Sequence, residues 1–122
     1  MKRWVRKFQL AGRGVLSGIR GEDSFAVHLP AAVLAVGLAA WFQVSMVEWA
    51  VLALAIGLVL ALELANSALE SLAKGLAEDR NPAVERALDM AAGAVLAGSL
   101  AAVAVGLLVF GPRLWSLWCG LN

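Results

Sequence analysis

Apolar and basic positions in residues 1 to 20 recur with a helical period: Trp4, Phe8, Ala11, Val15 and Ile19 share one face, while Lys2, Arg6, Arg13 and Arg20 lie opposite. The pattern predicts an amphipathic helix on a membrane surface, its apolar face in the interface and its basic face toward anionic headgroups or phosphates. Gly21-Glu22-Asp23-Ser24 breaks the period and predicts a turn, with Ser24 placed to cap the next helix. From His28 or Leu29 to about Val47 the chain is apolar except at Gln43 and Ser45, long enough to cross a hydrocarbon core of about 30 Å. Pro30 falls in the first turn of that helix, where its missing N–H does little harm. His28 reads as a polar end-cap at the cytoplasmic side of this span, not as a ligand.

A short link over Val44 to Trp49, without Lys or Arg, predicts an outer hairpin anchored by Trp41 and Trp49. Span two runs from about Val47 to Leu76, some 45 Å at about 1.5 Å per residue, so its last turns reach and pass the cytoplasmic boundary. Ala77 to Arg86 is polar and reads as a cytoplasmic loop. Met90 to Phe110 then forms the body of a third span, polar only at Ser99 and rich in Ala and Gly, which suits close helix contact in a packed interior or an oligomer interface. Gly111-Pro112 is expected to end it, with Trp115 and Trp118 in an outer interfacial belt. The expected architecture is an all-α integral membrane protein, one domain over residues 1–122: a surface helix over about 1–20 and three transmembrane helices over about 28–47, 47–76 and 87–111.

Composition strengthens this picture, since a chain that is 61% hydrophobic and only 16% charged is far from a soluble domain of its length. Six of the ten basic residues precede the first apolar run, which predicts a cytoplasmic N-terminus and, after three spans, an outer C-terminus. The single cysteine, Cys119, and single histidine, His28, exclude an internal disulfide, a cysteine metal cluster and a histidine-rich metal site. Ligation of a hard cation by carboxylates stays open. A cleaved signal peptide fits poorly, because the polar N-terminal stretch is too long, and the chain is read as mature. No nucleic-acid partner is expected.

The candidate chemistry lies in Glu63-Leu-Ala-Asn-Ser-Ala-Leu-Glu70. At about 100° per residue Glu63, Asn66 and Glu70 stand at about 0°, −60° and −20°, on one narrow face of a helix whose preceding run, Trp49 to Leu62, carries no polar side chain. An ionisable group at the edge of a bilayer core is costly and usually functional. Glu22, Glu63, Glu70 and Asp89, from three segments, all fall at the cytoplasmic surface. Carboxylates there suit Mg²⁺ and, through it, nucleotide phosphates, and one in a partly apolar place suits general-base work. No Walker pattern and no protein-kinase glycine loop is present. The residues alone therefore reach a polar catalytic or ion site at the inner membrane surface.

E-L-A-N-S-A-L-E at 63 to 70, followed by A-L-D-M-A-A-G-A-V-L at 87 to 96, resembles the bacterial diacylglycerol kinase family, which includes the undecaprenol kinases. F-x-x-A-x-x-G at 8 to 14, E-x-x-x-x-x-H-L at 22 to 29 and the apolar run from Trp49 to Glu63 extend the likeness over nearly the whole chain. The resemblance implies a homotrimer in the bacterial inner membrane that transfers the γ-phosphate of MgATP to a lipid alcohol. It implies Glu63 as catalytic base, Asn66 as its polar neighbour, Glu22 and Glu70 as Mg²⁺ ligands that also bind the nucleotide, and Asp89 as an acidic residue near the nucleotide. Asp79 and Asn81 in the cytoplasmic loop are taken as further nucleotide contacts. Two departures stand out: Leu88 replaces the lysine of the family's A-K-D motif, and Lys74 replaces an aspartate. Lys74 is placed either to pair with Glu70 along the helix or to supply the missing positive charge. The alternative reading is a non-catalytic membrane protein of the same fold with a degraded nucleotide site. A small transporter fits less well, because the acids cluster at one surface and not at the midplane. The His28-Leu29 entrance and the A-A-G-A-V-L run look more like the undecaprenol kinases, although the sequence does not reveal which lipid alcohol is the substrate.

Overall fold

The computed structural model describes residues 1–21, 23, 25–76, 78 and 81–120, and the long elements among these are all α-helices. Four helices follow in order: α1 (Lys2–Gly21), α2 (Phe25–Trp41), α3 (Met46–Gly75) and α4 (Pro82–Gly120). The axes of α1 and α2 diverge by 103°. Trp4, Phe8 and Val15 on α1 are exposed, with Lys7 Nζ lying 4.7 Å from the centroid of the Trp4 ring. Gly18 is where α1 meets the bundle: a Cβ there would collide with the Leu64 side chain of α3.

The first predicted span is shorter and begins earlier than expected. α2 starts at Phe25, so Pro30 lies inside the helix and not in its first turn, and removes one internal hydrogen bond. Ser24, the expected cap, lies outside the described residues. α2 stops at Trp41 because the next helix claims the following residues. Ser45 Oγ accepts from the Glu48 N–H at 3.1 Å and Glu48 Oε1 accepts from the Ser45 N–H at 3.1 Å, a reciprocal capping box that starts α3. Gln43 absorbs the reversal at φ 52°, a left-handed conformation unusual without glycine.

α4 departs further from expectation. It begins at Pro82, inside the predicted loop, because Asn81 Oδ1 accepts from the N–H groups of Ala83 and Val84 at 2.9 and 3.2 Å. Proline at the first helical position suits that start. At its other end α4 passes through Gly111-Pro112 and continues to Gly120. Around it two side chains bond back to the helix: Arg113 Nη1 donates to the Val109 carbonyl at 2.6 Å, and Ser116 Oγ donates to the Pro112 carbonyl at 2.9 Å.

Helices α3 and α4 pack along their length. Leu62 meets α4 at Gly98, where a Cβ would come within 2.5 Å of Leu62 Cδ1, and Glu48 meets Arg113, so the two helices run antiparallel in constant register. Of the glycines in the third span, Gly98 makes such a close approach, whereas Gly93 and Gly106 face open space within the chain. The apolar core sits at the end of the bundle where α2 turns into α3, with Ala39, Val44, Leu52, Val109 and Phe110 buried together. By length and composition α3 and α4 are able to cross a membrane, and the α1–α2 pair brings the candidate spans to three. Leu54, Val33, Leu107 and Leu108 stay well exposed on these helices, as suits contact with lipid or with further protein.

Candidate functional site

Helix α3 carries Glu63 inward, between α2 and α4, at only 2% exposure. A buried carboxyl group is expensive unless it is hydrogen-bonded. The partner comes from α2: Nε2 of His28 lies 2.8 Å from Glu63 Oε1, with the His28 side chain 26% exposed. His28 is therefore no mere end-cap, and its contact with Glu63 was not foreseen. The two are 35 positions apart, and the one hint available in sequence was that a carboxyl group in such an apolar helix requires a donor.

One turn further on, Asn66 Nδ2 donates to Glu70 Oε1 at 3.0 Å, which fixes the carboxamide. Among the described residues two buried oxygens on this face then have no hydrogen-bond partner, Glu63 Oε2 and Asn66 Oδ1. Ser67, which the sequence reading did not single out, is also buried here. Among the described residues Glu70 accepts from Asn66, and no ion pair joins it to Lys74.

The register of α3 against α4 puts Asp89 level with Ser71, beside Glu70, but on an exposed part of α4, and Leu88 next to it is half-buried. Asn81 uses its side-chain oxygen as the α4 cap. Glu22 and Asp79 lie outside the described residues. The structure thus brings His28 to Glu63 and Asn66 to Glu70, while Asp89 shares only the level of Glu70. Among the described residues no three of His, Cys, Asp and Glu come together as a metal site. The donors present nevertheless suit Mg²⁺ in type, since Glu70 and the unpartnered Asn66 Oδ1 are hard oxygens and Mg²⁺ commonly takes one or two carboxylates together with substrate phosphates.

Beside His28 an apolar cleft of about 330 Å³ opens between α2, α3 and α4. Small side chains, Ala31, Ala35, Ala55 and Ala102, make it wide, and Phe110 lines it at the end away from His28.

Residues 9–110 match the family described as prokaryotic diacylglycerol kinase. The chain belongs to that family. It is 33% identical over 114 residues to an undecaprenol kinase of Bacillus subtilis, an alignment that covers 93% of each protein. It is also 36% identical over 111 residues to a diacylglycerol kinase of Synechocystis, covering 90% of this chain and 63% of that one.

Proposed function

We propose that this member of the diacylglycerol kinase family transfers the γ-phosphate of ATP to the hydroxyl of a membrane lipid alcohol, diacylglycerol or undecaprenol, at the cytoplasmic surface. The observation that carries the reading is Glu63: buried, held through Oε1 and unpartnered at Oε2. In the transfer, Oε2 takes the proton of the lipid hydroxyl as that oxygen bonds to the γ-phosphorus. The bond from phosphorus to the β,γ-bridging oxygen breaks, and ADP leaves with the electron pair. Asn66, oriented by Glu70, presents Oδ1 on the same face. Glu22 and Glu70 would hold Mg²⁺, which when bound supplies neutralisation of phosphate charge. Asp89, at the level of Glu70, with Asp79 and Asn81 flanks the nucleotide. The apolar cleft beside His28 suits the hydrocarbon chain of the acceptor.

In this reading residues 1–122 form one domain, α2, α3 and α4 all span the bacterial inner membrane, and α1 lies on its cytoplasmic face. The exposed Trp4 and Phe8 enter the interface, and the basic residues face the anionic surface. A homotrimer covers the apolar and polar surface that one subunit leaves open. Leu88 favours a second reading, a non-catalytic protein of the same fold, because loss of a phosphate-binding cation weakens transition-state stabilisation. Labelled ATP supplied to bilayers containing diacylglycerol or undecaprenol decides between them: the kinase reading expects a labelled lipid phosphate with one of the two.

A further inference from the structure

Helix α2 is apolar throughout its 17 residues except for His28. A single imidazole in such a helix is a cost unless the chain uses it. His28 lies four residues into the helix, its Nε2 reaches across to α3, and it meets the one buried carboxyl group found among the described residues. With Glu63 as the carboxylate that the base role requires, the hydrogen between them sits on Nε2 of His28, and this fixes the tautomer when the ring is neutral. The bond engages Oε1 alone. Oε2, on the same group, is buried and has no donor.

We propose that His28 is the positioning residue for Glu63, donating from Nε2 to Oε1 so that the carboxylate is held with Oε2 free to take the proton of the acceptor hydroxyl. The proposal rests on the kinase reading and adds a residue to it. A free glutamate side chain samples several rotamers, and ordering it during reaction costs rate; a partner on a second helix sets the angle in advance. The two oxygens thereby acquire different tasks, one structural and one reactive. His28 touches no nucleotide in this arrangement, though its ring lines the cleft for the acceptor's chain, so its loss acts on the chemical step and leaves ATP binding alone.

The test uses full-length protein in bilayers with labelled ATP and, separately, diacylglycerol and undecaprenol. His28→Phe keeps the ring volume without the donor. It should lower kcat by about 10–100-fold, the loss typical when the partner orienting a reacting group is removed, with KM for ATP unchanged. His28→Gln, whose amide donates at similar reach, should restore most of that loss, and His28→Phe should add nothing further in a Glu63→Gln background. A second readout needs neither turnover nor a variant at His28. The chain has one histidine, so ¹⁵N-labelled imidazole gives one set of signals, and Glu63→Gln should shift them.

Full activity in His28→Phe, a glutamine variant no better than phenylalanine, or a rise in KM for ATP in place of the fall in kcat overturns the positioning role. Imidazole signals indifferent to Glu63→Gln overturn the pairing itself. If the native chain labels neither lipid, the kinase reading fails and takes the catalytic role with it, an outcome that the imidazole spectrum separates from loss of the pair.

Discussion

Arg113 holds Glu48 in a two-pronged grip, Nη1 to Oε2 at 2.6 Å and Nη2 to Oε1 at 2.7 Å, joining residues 65 positions apart. Paired geometry of this kind suits the planar guanidinium and not an ammonium. The pair ties the capped start of α3 to the part of α4 that continues past Pro112, at the opposite end of the bundle from Glu63. Arg113→Ala should therefore lower the thermal midpoint by a few degrees, Arg113→Lys should lie between it and wild type, and phosphoryl transfer below the transition should change little. A midpoint untouched by Arg113→Ala would show that the grip adds nothing to stability.

Gly98 and Gly93 make a matched pair on α4. A Cβ at Gly98 meets the tip of Leu62, a flexible side chain able to swing aside, and the helix gains roughly 1 kcal/mol from glycine to alanine, so Gly98→Ala should be close to neutral. Gly98→Leu has no such escape and should cost about 1–3 kcal/mol, recovered in part by Leu62→Ala. Gly93→Leu, facing open space within the chain, should cost far less unless a neighbouring subunit packs there. Denaturation in detergent, with the oligomer followed by light scattering, measures both.

Much of the fold was legible in the pattern of apolar residues. The α3 run and the face shared by Glu63, Asn66 and Glu70 follow from a helical period and a bilayer length. Element ends were misjudged where local chemistry outweighs hydropathy. Ser45-x-x-Glu48 carries a capping-box signature, and Asn81-Pro82 is a cap followed by a first-turn proline; these local signals set the helix starts where polarity alone predicts a link or a loop. Gly111-Pro112 is expected to end the helix, but α4 runs through it to Gly120, because Pro112 frees one carbonyl, that of Leu108, and the helix continues past it. The His28–Glu63 contact was not legible, because nothing local in sequence states which of several helices faces another.

Cys119 is exposed near the end of α4 and reports on topology. With the basic N-terminal helix inside and three spans, a membrane-impermeant thiol reagent should label it in intact spheroplasts. Labelling that appears only after the membrane is opened would reverse the orientation.

Leu88 tests the nucleotide site. If the site survives, Leu88→Lys puts a cation one residue before Asp89 and should lower KM for ATP by about tenfold, in the range of a charge-assisted hydrogen bond. Lipid phosphate made by the lysine variant and not by the native chain would establish the non-catalytic reading.

The most direct test of the account compares Glu63→Gln with Glu70→Gln in bilayers containing labelled ATP and each lipid alcohol. The base acts on the hydroxyl in the transition state, whereas a metal ligand is already engaged in the ground state. The account predicts that Glu63→Gln removes transfer, by at least about 10²-fold, with ATP binding retained, and that Glu70→Gln weakens MgATP binding. Full lipid phosphorylation by Glu63→Gln would contradict it.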